Sequence, residues 1–415
     1  MYLKIVLLKA KALGALSRAL GRGNGIVIAG RLILKFAPNA VEKIARNKRV
    51  VLISGTNGKS TTSKLIAEAL RTKYSIAHNH TGANLFSGIA AALGADPDAD
   101  VAVLEVDEMV LPWAIQKTKP ELIVLLNLGR DQLDRLSEVR IVSNKWRDAL
   151  AGQRVLASTD DPFVVYAANS AAEQIWFSAQ GKGHIDAATC PSCGSLLIWR
   201  DSGATYSCTC GFKKPVANWN LNGELLSNAE SETQSVNKLA AKNESNLQNY
   251  RVRSSIPGKA AMQNAARALI VATEFGIDID TANRAIESVR AVDGRFANKR
   301  IGQTNFRLLL SKNPSSWRET LETSSKGPKN VLLVVNANTQ DGKDTSWLWD
   351  VDFKPLTGRN VIVTGDRRID VSARLTVDGI SHLVVDDELA AAASYGATDA
   401  DLIASYTAFH RLANK

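Results

Sequence analysis

Short unbroken apolar runs alternate with stretches of helical spacing along most of the chain. The run "VVLI" at 50–53 has the length and composition of a strand buried on both faces, and "STTSKLIAEAL" at 60–70 follows with a helical period. "DVAVLEVDEMVLP" at 100–112 reads as a second buried strand ending in acids, and "PELIVLLNLG" at 120–129 as a third, followed by a charged helix start. "RVLAS" and "QIWFS" continue the series. "IPGKAAMQNAARALIVATEFGI" is a helix opened by Pro-Gly. The last third repeats the alternation with "FRLLLSKN", "NVLLVVNAN", "NVIVTGD" and "SHLVVDD" as strands. Strand and helix in turn predict an α/β chain with parallel sheets in two domains, the second Rossmann-like. Between them, the polar Asn/Ser-rich stretch 218–250 reads as a mobile loop or an edge hairpin.

The opening "MYLKIVLLKAKALGALSRAL" has the pattern of a basic amphipathic helix. Composition sharpens that reading. The net charge is +10, and residues 1–50 account for all of it with eleven Lys and Arg against Glu42 alone; the remaining 365 residues balance. Such a segment suits an anionic membrane surface, or packs on the core with a solvated basic edge, and both readings stand. Lys4, Lys9 and Lys11 interrupt its apolar stretch, no small-residue cleavage site follows, and no run is long enough to span a bilayer. The expected location is cytoplasmic, peripheral on the membrane if the first reading holds. At 415 residues and 45% hydrophobic content, two or three domains with proper cores are expected.

All four cysteines fall in "CPSCGSLLIWRDSGATYSCTCGF" as Cys190, Cys193, Cys208 and Cys210. Two close pairs, each beside a glycine and separated by a hairpin-length stretch, predict a zinc ribbon at about 186–214 with four thiolate ligands and no open position, hence a structural metal. The second pair is Cys-x-Cys, one residue shorter than the usual knuckle. If all four sulfurs hold zinc, no thiol is left to act as a nucleophile. The ribbon stretch carries Lys182, Arg200, Lys213 and Lys214 against Asp186 and Asp201, too balanced for a nucleic-acid surface.

Between the first strand and its helix stands "GTNGKS" at 55–60. The general phosphate loop G-x-x-x-x-G-K-[ST] would want glycine at 53, where this chain has Ile53. The physics is retained. Gly58 lets backbone approach a phosphate, Lys59 supplies charge, Ser60 offers a hydroxyl to Mg²⁺, and the helix from Thr61 points its N–H groups at the anion. Glu105 stands where a parallel strand meets the ligand edge of its sheet and is the expected Mg²⁺ ligand; Asp107 and Glu108 read equally as site groups or a solvated strand end. His78 and His80 have no third ligand nearby in sequence.

"GTNGKS" resembles the loop of Mur ligases and folylpolyglutamate synthetases, and from there the chain resembles that ATP-dependent superfamily. "HTGANL" is similar to their T-x-G-x-N loop, "MQNAARA" to a segment whose Asn264 serves the nucleotide, and "VDGRF", with Arg295, to the "GR" closing the central domain. Thr56, Asn57, Gly58, Lys59, Ser60 and Thr61 would line the ATP site. Only 54 residues precede Gly55, fewer than a uridine-nucleotide domain needs. "RDQLDR", the ribbon, "KNPSSW", "DGKDTSWLWD" and "TGDRRIDVSARL" resemble the MurT family, the Mur-ligase-like subunits of lipid II isoglutaminyl synthases. That implies three segments: 1–48, basic and packing on the next; 49–297, a central ATP-binding domain with the inserted ribbon; and 298–415, a C-terminal domain carrying a partner motif. It also implies a GatD-like glutaminase partner, lipid II as substrate, and ATP, Mg²⁺ and Zn²⁺ as cofactors. The expected reaction is ATP-dependent amidation of the α-carboxylate of D-glutamate in the stem peptide. Lys59 and Glu105 would serve phosphoryl transfer, and Asp344, with Asp350 and Asp341 behind it, would orient the partner's histidine. Asn127 and "RDQLDR" would line the acceptor side, although helix pairing explains the latter's charges as well. Cys-x-Cys, Ala261 and Ala337 depart from the family's pattern. The alternatives are an amino-acid ligase of the same superfamily, which leaves "DGKDTSWLWD" unexplained, and a nucleotide-regulated zinc-ribbon protein that binds nucleic acid.

Overall fold

The computed structural model describes residues 2–20, 25–79, 82–129, 139–181, 187–228, 249–292 and 295–413. His80, Thr81 and "RDQLDR" lie outside them, as do most of the Asn/Ser-rich stretch and residues 182–186 ahead of the ribbon. The chain gathers into two compact units: the first draws on Met1–Leu128, Ser137–Ser254 and Gln263–Ser288, the second chiefly on Ser255–Met262 and Val289–Lys415.

The first unit is built on a nine-stranded sheet. Its strands are β1 (Arg49–Ser54), β2 (Ile76–His78), β3 (Val101–Glu105), β4 (Leu122–Leu125), β5 (Arg154–Ser158) and β6 (Glu173–Ser178), followed by the separate ribbon hairpin of β7 (Ile198–Arg200) and β8 (Thr205–Ser207), and then β9 (Trp219–Asn222), β10 (Leu225–Asn228) and β11 (Asn249–Arg251). The spatial order is β11-β10-β9-β6-β5-β4-β1-β3-β2. β1 lies between β3 and β4, parallel to both, with Ile53 in register with Glu105 and Ser54 with Leu125. Val50, Val51, Leu52 and Ile53 are buried, because helices cover both faces of a parallel sheet. The polar stretch after residue 218 is an edge hairpin in its described part, with β9 and β10 antiparallel and β9 joined to β6.

Helices α1 (Tyr2–Ala19), α2 (Ile26–Phe36) and α3 (Ala40–Ala45) precede the sheet; α4 (Lys59–Arg71) follows β1 and α5 (Phe86–Ala95) follows β2. α1 packs Val6, Leu7, Ala10, Gly14 and Ser17 inward. Leu7, Ala10 and Ile33 of the helix pair join Ile89 and Leu93 of α5 in one apolar cluster, so the packing reading of the opening segment holds for one face of the helix. The fit between α2 and α5 is backbone against backbone. A Cβ on Gly30 would lie 1.8 Å from the carbonyl oxygen of Ser87. The Tyr2 hydroxyl, donating to the Phe36 carbonyl at 2.7 Å, ties the start of α1 to the end of α2.

The second unit holds a six-stranded sheet: β12 (Phe296–Ile301), β13 (Thr304–Leu310), β14 (Asn330–Val334), β15 (Asn360–Thr364), β16 (His382–Val384) and β17 (Asp399–Ala404), in the order β12-β13-β17-β14-β15-β16. β12 and β13 form an antiparallel hairpin and every other neighbouring pair is parallel. Four of these six strands are the apolar runs of the last third; β12 and β17 carry Asn, Lys, Arg and Asp among their apolar positions and give no such run. Phe306, Leu308, Leu332, Val334, Leu402 and Phe409 anchor its core.

The glycine at 30 supplies a direct test of the first unit's packing. Gly30→Val should destabilise the protein by about 1–3 kcal/mol through overpacking, seen as a lower thermal midpoint. An unchanged midpoint would show that α2 and α5 can separate without cost.

Candidate active site and metal centre

Parallel pairing lines up the carboxyl ends of β1, β3 and β4, and the predicted nucleotide-side residues of the first unit collect there. Gly58, with φ +87°, leads into α4, whose N-terminus has no side-chain cap, so its first N–H groups stay available to an anion. A Cβ on Gly58 would sit 3.1 Å from Asn264 Oδ1, so Asn264 packs against the turn. Asn127 braces the turn directly: its carbonyl accepts Thr56 N–H at 2.9 Å, its side-chain oxygen accepts Asn57 N–H at 2.9 Å, and its amide donates to Asn57 O at 3.0 Å. The expected acceptor-side role for Asn127 thus meets a residue already committed to holding the loop's backbone. Thr61 lies in the first turn of α4, two residues after Lys59 opens it, and Ser60 Oγ lies 3.8 Å from where a Cβ of Gly82 would stand.

Lys59 is buried, and its Nζ donates to the carbonyl oxygens of Gly55 and Thr56 and to Glu108 Oε1 at 3.1 Å. Glu108 is therefore paired with the loop lysine and is not merely a solvated strand end. No sequence spacing links residues 49 positions apart; the signal was only that an acid follows a buried strand. Trp146 Nε1 donates to the Glu108 carbonyl at 2.8 Å and fixes this corner from α-helical residues further on.

Glu105 is 1% exposed. Its backbone is clamped by Asn79, whose Oδ1 accepts Glu105 N–H at 2.8 Å and whose amide donates to Glu105 O at 2.7 Å. One carboxylate oxygen accepts Asn84 Nδ2 at 3.3 Å, and the other, Oε2, is buried without a hydrogen-bond partner among the described residues. Leaving a carboxylate oxygen dry and unpaired is costly. A hard cation at this edge would satisfy it, so the residues fit Mg²⁺, with Glu105 and Ser60 as oxygen ligands. His78 is buried with Nε2 3.2 Å from Ser63 Oγ, a core position.

The four cysteines converge so that their sulfurs all lie within 4.8 Å of one another. Cys190 and Cys210 are 3.7 Å apart and Cys193 and Cys208 3.4 Å, far beyond a disulfide bond and close to the edge of about 3.8 Å expected for a tetrahedron of Zn–S bonds. The shorter second pair is accommodated by a tighter turn. Gly194 N–H reaches back four residues to Cys190 O, whereas Gly211 N–H reaches back three to Cys208 O. Hydrogen bonds from Ser195 draw the Cys193 thiol down to about 6, and burial pushes that of Cys190 up to about 12. Cys193 is thus the more readily ionised of the two, and a metal bound here would have to displace the proton of Cys190. The ribbon is anchored to the sheet by Tyr206 Oη donating to Thr159 O at 3.0 Å and by the Lys214–Asp160 pair at 2.7 Å.

The remaining predicted residues lie in the second unit. Arg295 immediately precedes β12 and its N–H donates to Val292 O at 3.0 Å. Among the three aspartates, Asp341 is buried and fully engaged: Oδ1 accepts Thr407 N–H at 2.7 Å, and Oδ2 accepts Thr407 Oγ1 and Asn338 N–H. Asp344 is exposed, accepts Ser346 N–H at 2.8 Å through Oδ1, and is held below the usual carboxylate range by that bond. Asp350 is also exposed, beside Trp349.

Two family models match the chain: the Mur ligase middle domain over residues 53–192 and the MurT ligase C-terminal domain over residues 310–409. The subunit MurT of a glutamine-hydrolysing lipid II isoglutaminyl synthase from Staphylococcus aureus (strain N315) is 30% identical over 388 residues, 88% of this chain and 86% of that protein. Its counterpart from Streptococcus pneumoniae (strain R6) is 29% identical over 383 residues, 86% and 83% respectively. Among solved structures, a pseudomurein peptide ligase type C from Methanothermus fervidus superposes with a TM-score of 0.64 at 19% identity, covering 89% of this chain and 79% of that one. At that identity the likeness concerns the fold.

Two measurements test this geometry. Cys193→Ser should lower both the zinc content, from one equivalent in the native protein, and the thermal midpoint; native protein that is free of zinc by elemental analysis yet melts cooperatively would remove the metal from the fold. Lys59→Ala should reduce ADP formation on the order of a hundredfold or more, and turnover at the native rate would show that the turn is not catalytic.

Proposed function

The chain belongs to the MurT family of Mur ligases, and on that premise we propose that it is the synthetase subunit of a lipid II isoglutaminyl synthase. It is an ATP-dependent ligase of the Mur-ligase superfamily acting in peptidoglycan synthesis. The proposed reaction converts the α-carboxylate of D-glutamate in the lipid II stem peptide to the amide, giving D-isoglutamine. The observation that carries this reading is the match of residues 310–409 to the MurT C-terminal domain, because the ATP loop alone is common to ligases that add amino acids.

A carboxylate resists ammonia because it is anionic and oxide is a hopeless leaving group. Transfer of the γ-phosphoryl group of ATP to a carboxylate oxygen gives an acyl phosphate and ADP. Ammonia then attacks the carbonyl carbon, phosphate departs with the C–O bond, and a proton is lost to leave the amide. In this proposal Lys59 binds the phosphates, with Thr56, Asn57, Gly58, Ser60 and Thr61 supplying the rest of the cradle and Asn264 and Arg295 serving the nucleotide. Glu105 and Ser60 would hold Mg²⁺, which neutralises charge on the transferring group. In this reading Lys59 exchanges Glu108 for phosphate as ATP enters.

Ammonia comes from glutamine through a glutaminase with a cysteine nucleophile. This chain has four cysteines, and all four converge on the ribbon. The nucleophile therefore belongs to another chain, a GatD-like partner. Asp344 is the group we assign to orient that partner's histidine, since it is exposed, whereas Asp341 is buried and spent on Thr407.

Asp344→Asn in the two-chain complex should abolish amidation driven by glutamine, with losses up to about 10⁴-fold when an orienting carboxylate is removed. Amidation driven by ammonium at high pH should survive. Equal loss with both donors would assign Asp344 to the ligase site, and loss with neither would move the role to Asp350 or Asp341.

A further inference from the structure

α1 is apolar on two faces. Its inner face is filled by its neighbours, but Ile5, Leu8, Leu13 and Leu16, with Leu20 just beyond its end, are exposed, Leu8 by 70%, Leu20 by 60% and Leu16 by 53%. At 3.6 residues per turn Ile5, Leu8, Leu16 and Leu20 fall on one side of the helix, opposite Leu7, Ala10 and Gly14. A helix that only packed on this domain would be polar there. Its charges are of one sign. Residues 1–41 contain seven Lys and Arg and no acid. Lys4, Lys9 and Lys11 are exposed on α1 itself, and the partly charged helix is not long and apolar enough to cross a membrane.

We infer that this outer face of α1 docks on an anionic lipid bilayer, lying in its plane with the leucines in the acyl boundary and the lysines among the headgroups. Charge selects this occupant. A second copy of the chain would bring cation against cation, and a protein partner would need an acidic surface edged to match. A bilayer with anionic headgroups offers both the apolar layer and the negative charge in the order the helix presents them. The inference goes beyond the proposed reaction and does not depend on it, since it rests on exposure and charge at residues that take no part in the ATP site. The inner face stays engaged with α5, so docking needs no unfolding.

The test is flotation of the full-length protein with vesicles of phosphatidylglycerol and phosphatidylcholine, or of phosphatidylcholine alone. Binding should require phosphatidylglycerol and fall with added salt through screening. Each of Lys4, Lys9 and Lys11 changed to Gln should weaken it roughly fivefold. The pair Leu8→Glu and Leu16→Glu, both at exposed positions, should abolish it while leaving the thermal midpoint and ADP formation as in the native protein. Should that pair fail to fold, the lysine series decides alone. Equal binding to both vesicle types, or unchanged binding by the leucine variants, overturns the inference. So does a lipid-free oligomer of the native protein that the leucine variants dissociate, which would make the face a contact between proteins.

Discussion

The pairing of β1 with β3 on one side and β4 on the other governs the rest of the first unit. Three parallel strands in register end together, so the turn after β1, the acid at the end of β3 and the asparagine after β4 meet although 70 residues separate Asn57 from Asn127. Hydrophobic burial supplies the energy, at about 1.5–3 kcal/mol for each large side chain removed from water. The pairing converts that undirected energy into position. Glu105 is tolerated as a buried acid because its backbone is bonded on both sides by Asn79 and one of its oxygens by Asn84. The other oxygen is buried with no hydrogen-bond partner among the described residues.

The legible part of the sequence was the part governed by short-range physics. Continuous apolar runs gave β1, β3, β4 and most of the second sheet, since strands buried on both faces have no polar alternation to blur them. The cysteine spacing pointed to the cluster in which the four sulfurs meet, and the residue missing between Cys208 and Cys210 corresponds to a tighter turn. Tertiary pairing hid the rest. The Lys59–Glu108 bridge and the Asn127 brace join groups 49 and 70 residues apart, and only strand order brings them together. β12 and β17 escaped notice because charged residues interrupt them: Asp401 is fully buried yet answered by Arg307 across the sheet at 2.7 Å. The three aspartates of "DGKDTSWLWD" are alike as letters and distinct in place, one sealed under Thr407 and two turned to solvent.

The contact between Gly30 and Ser87 has a mechanical side. Side chains absorb small displacements by changing rotamer, but two backbones in contact have no such slack. A Cβ on Gly88, the next residue of α5, would lie 1.9 Å from the Ala83 carbonyl, and that same carbonyl accepts a hydrogen bond from Asn79, which grips Glu105. From α2 to the backbone of Glu105 the contacts run through main-chain atoms and the single side-chain amide of Asn79. Two of these contacts have no side chain to yield, so a displacement of α2 against α5 has only the Asn79 amide to absorb it before it reaches the strand that carries the buried acid.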